Sequence, residues 1–141
     1  MALTARYLVD KSAFARMPLP AVAARLGPLV DSGDLAICGI SLLELLFSAR
    51  SASDLDGIRR DLQLSLAWIP TVDKDLERAA DVMALLSRSG GHRSVPIPDL
   101  LLAAVAERAG LAVMHYDRDF DAIARVTGQV SEWVAPQGSL P

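Results

Sequence analysis

Cysteine is nearly absent. The 141-residue chain has one, Cys38, so no internal disulfide can form and a reducing cytoplasm is the expected setting. Cys38 lies among apolar neighbours and reads as a small core residue rather than a nucleophile. Histidine is scarce too: His92 and His115 stand far apart, and with one cysteine they make a poor basis for a tetrahedral zinc site. Lysine is limited to Lys11 and Lys74, which leaves twelve arginines to carry the positive charge. No apolar run is long. The longest stretch without charge, Leu62–Val72, contains Pro70 and falls far short of a bilayer span. The opening MALTARYLVD enters a strand pattern with no basic n-region or cleavage site of a secretory leader. A net charge of −3 does not fit a nucleic-acid binder taken whole.

What is present is a large apolar share, 52%, enough for a real core in one domain spanning residues 1–141. No repeat or long linker divides it. The patterning predicts short strands at Tyr7–Val9, Leu35–Cys38, Trp68–Pro70, Ala112–His115 and Val130–Val134. Helical spacing covers Ala21–Asp31, with Gly27-Pro28 expected to kink or divide it. Further helices are expected at Ser41–Arg50, at Asp54–Leu66, and from a capping Asp73 to about Arg88 with Leu76, Ala79, Ala80, Met83 and Leu86 inward. Two more follow, at Asp99–Ala109, stopped by Gly110, and at Asp119–Arg125. Ser89–Ser94 reads as a loop. Strands alternating with helices imply an α/β fold whose parallel sheet is covered on both faces.

Four carboxylates sit in or beside otherwise apolar segments. Glu44 is the only charge within LAICGISLLELLFSA and Asp99 the only one within SVPIPDLLLAAVA. Asp10 closes YLVD, and Asp117 follows LAVMHY. A buried, unpaired carboxylate costs several kcal/mol, so it takes a proton, a cationic partner or a metal. The apolar stretches hold no Lys or Arg to serve. In α/β sheets, sites form outside the carboxyl ends of strands, where these four acids fall. An all-oxygen set points to magnesium or manganese.

Each acid also has a blander use. Ser41 and Glu44 have the spacing of a capping box, Asp99 would complement a helix dipole, and Asp117 could cap the following helix. Asp10 has fewer structural uses. Asp119 and Asp121 read as surface acids, with Asp119 near enough to Asp117 to assist through water. His92 reads as a solvated loop residue and His115 as packing. The arginines read mostly as solvated charge. Several of them in expected loops and helix ends suit planar contact with phosphate if the cleft handles a phosphodiester.

At YLVDKSAF, SLLELLFSAR, IPDLLLAAVAERAGLAVMHYDRDFDAIA and SEWVAP the chain resembles the PIN-domain ribonucleases, specifically the VapC toxins of type II toxin–antitoxin systems. Ile97–Ile123 is the most specific stretch. The resemblance implies a three-layer α/β/α sandwich around a mostly parallel sheet, usually a homodimer. It implies a magnesium-dependent (or manganese-dependent) endoribonuclease toxin that hydrolyses RNA with metal-activated water, leaving 5′-phosphate and 3′-hydroxyl ends. The catalytic quartet falls on Asp10, Glu44, Asp99 and Asp117. Asp10, Asp99 and Asp117 are the expected metal ligands, Glu44 binds a second ion or orients the water, and Asp119 is an accessory. Ser12 and Arg118 are expected to meet RNA; Lys11 departs from the family's small residue there and receives no role. Implied partners are an RNA such as tRNA or rRNA and a VapB-type antitoxin whose tail crosses the acidic cleft. The alternative is a non-catalytic PIN-like module that binds RNA or protein.

Overall fold

The computed structural model describes residues 5–141. The first four residues of MALTARYLVD, and that part of the leader-free reading, lie outside the described residues. Five strands, β1 (Tyr7–Val9), β2 (Leu35–Cys38), β3 (Ala67–Ile69), β4 (Ala112–His115) and β5 (Ser131–Trp133), form one sheet. All its pairings are parallel and the order is β3-β2-β1-β4-β5. The helices among the described residues are α1 (Lys11–Phe14), α2 (Pro20–Asp31), α3 (Gly39–Phe47), α4 (Ala52–Ser65), α5 (Asp73–Ser87), α6 (Ile97–Ala109) and α7 (Asp119–Thr127).

Strand side chains alternate between two cores, because successive residues point to opposite faces. Leu8, Ala36, Cys38 and Val113 pack with α5, α6 and α7 through Val82, Leu86, Leu100, Leu102 and Phe120. Tyr7, Val9, Leu35, Ile37 and Met114 pack on the other face against Val22, Leu26, Leu29, Leu45 and Leu62. Each fully buried Leu or Phe contributes about 1.5–3 kcal/mol. The result is the expected three-layer sandwich. Among the described residues, no helix is long and apolar enough to cross a membrane.

Local structure corrects several expectations. Helix α2 is not divided: it runs through Pro28, whose own carbonyl accepts from the Ser32 amide at 3.0 Å. Buried Val22, Leu26 and Leu29 hold both halves against the sheet, which offsets the hydrogen bond that proline omits. Helix α3 starts two residues early, because Cys38 is its N-cap and Ser41 Oγ accepts from the Cys38 amide at 3.3 Å. Glu44 therefore takes no part in a capping box. Helix α5 is capped from inside by Asp75, which accepts from the Val72 amide at 2.9 Å; Asp73 is not its cap. Asp75 also takes two hydrogen bonds from Arg108 of α6, at 2.8 and 3.1 Å. That pair sets which face of α5 meets α6, so Val82 and Leu86 are buried while Leu76 is 55% exposed and Ala80 is exposed. The four-residue α1 is a turn the patterning missed.

Candidate metal centre

The strand order places the switch of chain direction between β1 and β4, the crevice where α/β sheets hold their ligands. The Asp10 amide donates to the Met114 carbonyl at 2.9 Å, so Asp10 leaves the sheet beside the end of β4. Its Oδ2 accepts from the Ser12 amide at 3.0 Å and caps α1. Ser12 Oγ in turn accepts from the Tyr116 amide at 2.9 Å, tying α1 to the residue after β4. One residue on, the Asp117 amide donates to His115 Nδ1 at 3.1 Å, and Asp117 Oδ1 accepts from the Asp119 amide at 2.9 Å. Asp117 thus braces the turn into α7 through the Asp119 amide, but it is not the helix's N-cap as expected: that position is Arg118, which makes no side-chain capping bond. Asp99 enters in the first turn of α6, after the N-cap Pro96, and Glu44 from the middle of α3.

These elements bring the acids into two overlapping groups. One oxygen each of Asp10, Glu44 and Asp99 lie within 4.8 Å of one another, and so do those of Asp99, Asp117 and Asp119. Asp99 belongs to both. All four expected acids therefore converge, and Asp119 lies beside Asp99 and Asp117.

The electrostatics are those of a cavity short of positive charge. Asp10 is 2% exposed and Asp99 6%. Asp10 Oδ1 and Glu44 Oε1 are buried with no hydrogen-bond partner. Burial, with the negative charges of Asp10, Asp117, Asp119 and Glu44, pushes the Asp99 carboxyl up to about 8. Burial first, and then Asp117, raises Asp119 as well. Orphaned buried carboxylate oxygens and like charges at these separations suit a hard divalent cation with oxygen ligands. The residues present fit such an ion.

One cation does reach the cluster, contrary to expectation: Lys11 Nζ lies 3.2 Å from Glu44 Oε2. Its position directly after Asp10 was the available signal. His115 does more than pack. It is fully buried between the rings of Phe120 and Trp133, each centroid 5.0 Å away, and holds the Asp117 amide. Burial lowers its pKa and keeps the imidazole neutral, as an acceptor Nδ1 requires. Asp121 is not a plain surface acid either, since the Trp133 indole donates to both its oxygens at 3.2 Å. Arg118 is exposed beside Asp119, and Ser12 is held by the backbone.

This parallel sheet with acids gathered at its switch point defines a class: the chain belongs to the PIN-domain family, whose profile matches residues 7–126. Within that family, Ribonuclease VapC21 of Mycobacterium tuberculosis (strain H37Rv) is 50% identical over 140 residues, covering 97% of this chain and 99% of the relative. Ribonuclease VapC18 of the same strain is 40% identical over 136 residues, covering 95% and 98%. Among solved structures, DNA-bound VapBC from Salmonella typhimurium superposes with a TM-score of 0.75 at 19% identity, covering 94% of this chain and 100% of that one. VapBC2 from Rickettsia felis, bound to a promoter DNA fragment, gives 0.74 at 16%, covering 90% and 97%.

Proposed function

We propose that this chain is a divalent-metal-dependent endoribonuclease toxin, using magnesium or manganese and restrained by a VapB-type antitoxin in the cytoplasm. The observation that carries the reading is Asp99, buried at the junction of two acid groups and held protonated near neutral pH unless a cation compensates it. Relatives 40–50% identical over nearly their whole length are named ribonucleases, which supports the same chemistry in this chain.

Asp10, Asp99 and Asp117 are the proposed ligands, with Asp119 beside them. A bound divalent cation supplies a Lewis acid for the phosphodiester and raises the acidity of water. Glu44, grouped with Asp10 and Asp99 and with its Oε1 buried without a partner, is the proposed acceptor of the proton from a water attacking phosphorus. Lys11 holds the other oxygen of Glu44 and so limits its rotation. The Ser12–Tyr116 and His115–Asp117 hydrogen bonds fix the turn that presents Asp117. In-line attack leaves 5′-phosphate and 3′-hydroxyl ends.

An exposed apolar surface beside the acids supports the antitoxin as a partner. Lys11 and Glu44 share a hollow of about 350 Å3 with Leu43 and Phe47, which are 63% and 91% exposed. A partner segment covering these side chains would end at the carboxylates. Self-association into a homodimer belongs to the same reading.

The test is cleavage of tRNA and rRNA by the purified protein with magnesium, manganese or EDTA, for wild type and Asp10→Asn. Cleavage is expected only for wild type with metal. Activity that survives both chelation and the substitution discards the reading, as does the absence of any cleavage with either ion.

A further inference from the structure

Asp119 has a second neighbourhood. It also lines a polar hollow of about 420 Å3 whose other walls include Ser94, Arg118, Asp121, Arg125 and Gln137. Ser94 comes from the α5–α6 loop, the two arginines from the start and last turn of α7, and Gln137 from the segment after β5. That segment is pinned, because Tyr116 Oη accepts from the Leu140 amide at 2.9 Å.

The charges of this hollow are unevenly committed. Asp121 is engaged by the Trp133 indole, and Asp119 lies with Asp99 and Asp117. Arg118 and Arg125 are exposed, and among the described residues neither guanidinium makes an ion pair or a side-chain hydrogen bond. Arg6, Arg25, Arg78 and Arg108 have carboxylate partners while Arg118 and Arg125 do not, and what marks these two is the hollow they share. Positions 118 and 125 are seven residues apart, two turns of helix on one face. Two arginines lining one hollow favour an anion with several oxygens, as phosphate has. The volume lies within the range of small-ligand sites, about 300–1,000 Å3. Gln137 and Ser94 add neutral groups that suit a base edge or a ribose 2′-hydroxyl.

We propose that this hollow is the subsite for the nucleotide next to the scissile phosphodiester, with Arg118 and Arg125 gripping its phosphate and Gln137 meeting its sugar or base. The word scissile rests on the endoribonuclease reading; the binding of single-stranded RNA does not.

The experiment measures binding of a fluorescein-labelled, mixed-sequence 12-nucleotide RNA by anisotropy, in EDTA, over a series of salt concentrations. Wild type is compared with Arg118→Ala, Arg125→Ala, Arg125→Lys, Gln137→Ala and the control Arg60→Ala, on the exposed side of α4. Each arginine-to-alanine change at the hollow should weaken binding about tenfold and reduce the slope of log affinity against log salt by about 0.7, one phosphate contact on a single strand. Arg125→Lys should keep the slope and still bind several-fold more weakly, and Gln137→Ala should weaken binding without changing the slope. The proposal is overturned if wild type does not bind the RNA, or if both alanine variants match Arg60→Ala. It is also overturned if a glutamate-rich peptide binds at the hollow and the RNA does not. Absence of cleavage with magnesium, alongside the expected arginine effects, would remove the nuclease reading and leave this one standing.

Discussion

Lys11 Nζ lies 3.2 Å from Glu44 Oε2, so the only ammonium side chain in the first half of the sequence is directed into the acidic cluster. Glu44 is grouped with Asp10 and Asp99, so this ammonium offsets part of the negative charge that a divalent ion would meet there. The lysine side chain is half exposed, which limits the pair to about 1 kcal/mol or less. Lys11→Ala should therefore tighten manganese binding about two- to fivefold by calorimetry. Unchanged or weaker affinity would show that this offset does not reach the ion.

Asp99 makes stability depend on pH in a definite direction. Its carboxyl, ordinarily near 3.8, stands at about 8 in the folded protein, so the native state binds the extra proton between those values. The associated stability is fully present below 3.8 and is lost as pH rises through 8. In EDTA the melting temperature should fall from pH 5 to pH 8, Asp99→Asn should flatten that slope, and magnesium should restore wild type but not the variant. The magnitude is on the order of a few kcal/mol. A wild-type slope indifferent to the Asn substitution would be the contrary result.

Ser12 separates two roles. Its Oγ accepts the Tyr116 amide hydrogen at 2.9 Å, which makes it a brace for the Asp117 turn. Ser12→Ala should cost about 1 kcal/mol of stability and lower kcat while leaving KM for RNA nearly unchanged, and Ser12→Thr should recover most of it. A rise in KM alone would mean that the hydroxyl meets the RNA instead.

Asp75 is a structural acid that happens to be buried. It is 1% exposed, caps α5 and receives the Arg108 fork. Asp75→Ala should destabilise the fold by about 2–4 kcal/mol in denaturant melts, with metal affinity of the folded fraction unchanged. Loss of metal binding without loss of stability would reverse this assignment.

Strands were read most closely from the sequence: β1, β2 and β4 match to the residue, and β3 and β5 to within one at each end. A run such as LAIC, buried on both sides, leaves no competing period. Faces of helices were harder. On α5 the alternation of apolar residues pointed to Leu76, but the through-space pair of Asp75 with Arg108 turned a carboxylate inward instead. The site repeats this lesson. Convergence of Asp10, Glu44, Asp99 and Asp117 followed from acids at strand ends and in apolar helices. Lys11 on Glu44, His115 behind Asp117 and Asp119 beside Asp99 depend on how separate segments meet, which no local pattern encodes.

The sheet order has a consequence for synthesis. β4 docks against the first strand although it is fourth along the chain, and Asp99 and Asp117 arrive only with that late portion. A growing polypeptide that has not reached α6 owns Asp10 and Glu44 and nothing to join them. Ribosomal products broken off in the first two thirds would lack Asp99 and Asp117, so the acid cluster is completed only as translation nears its end.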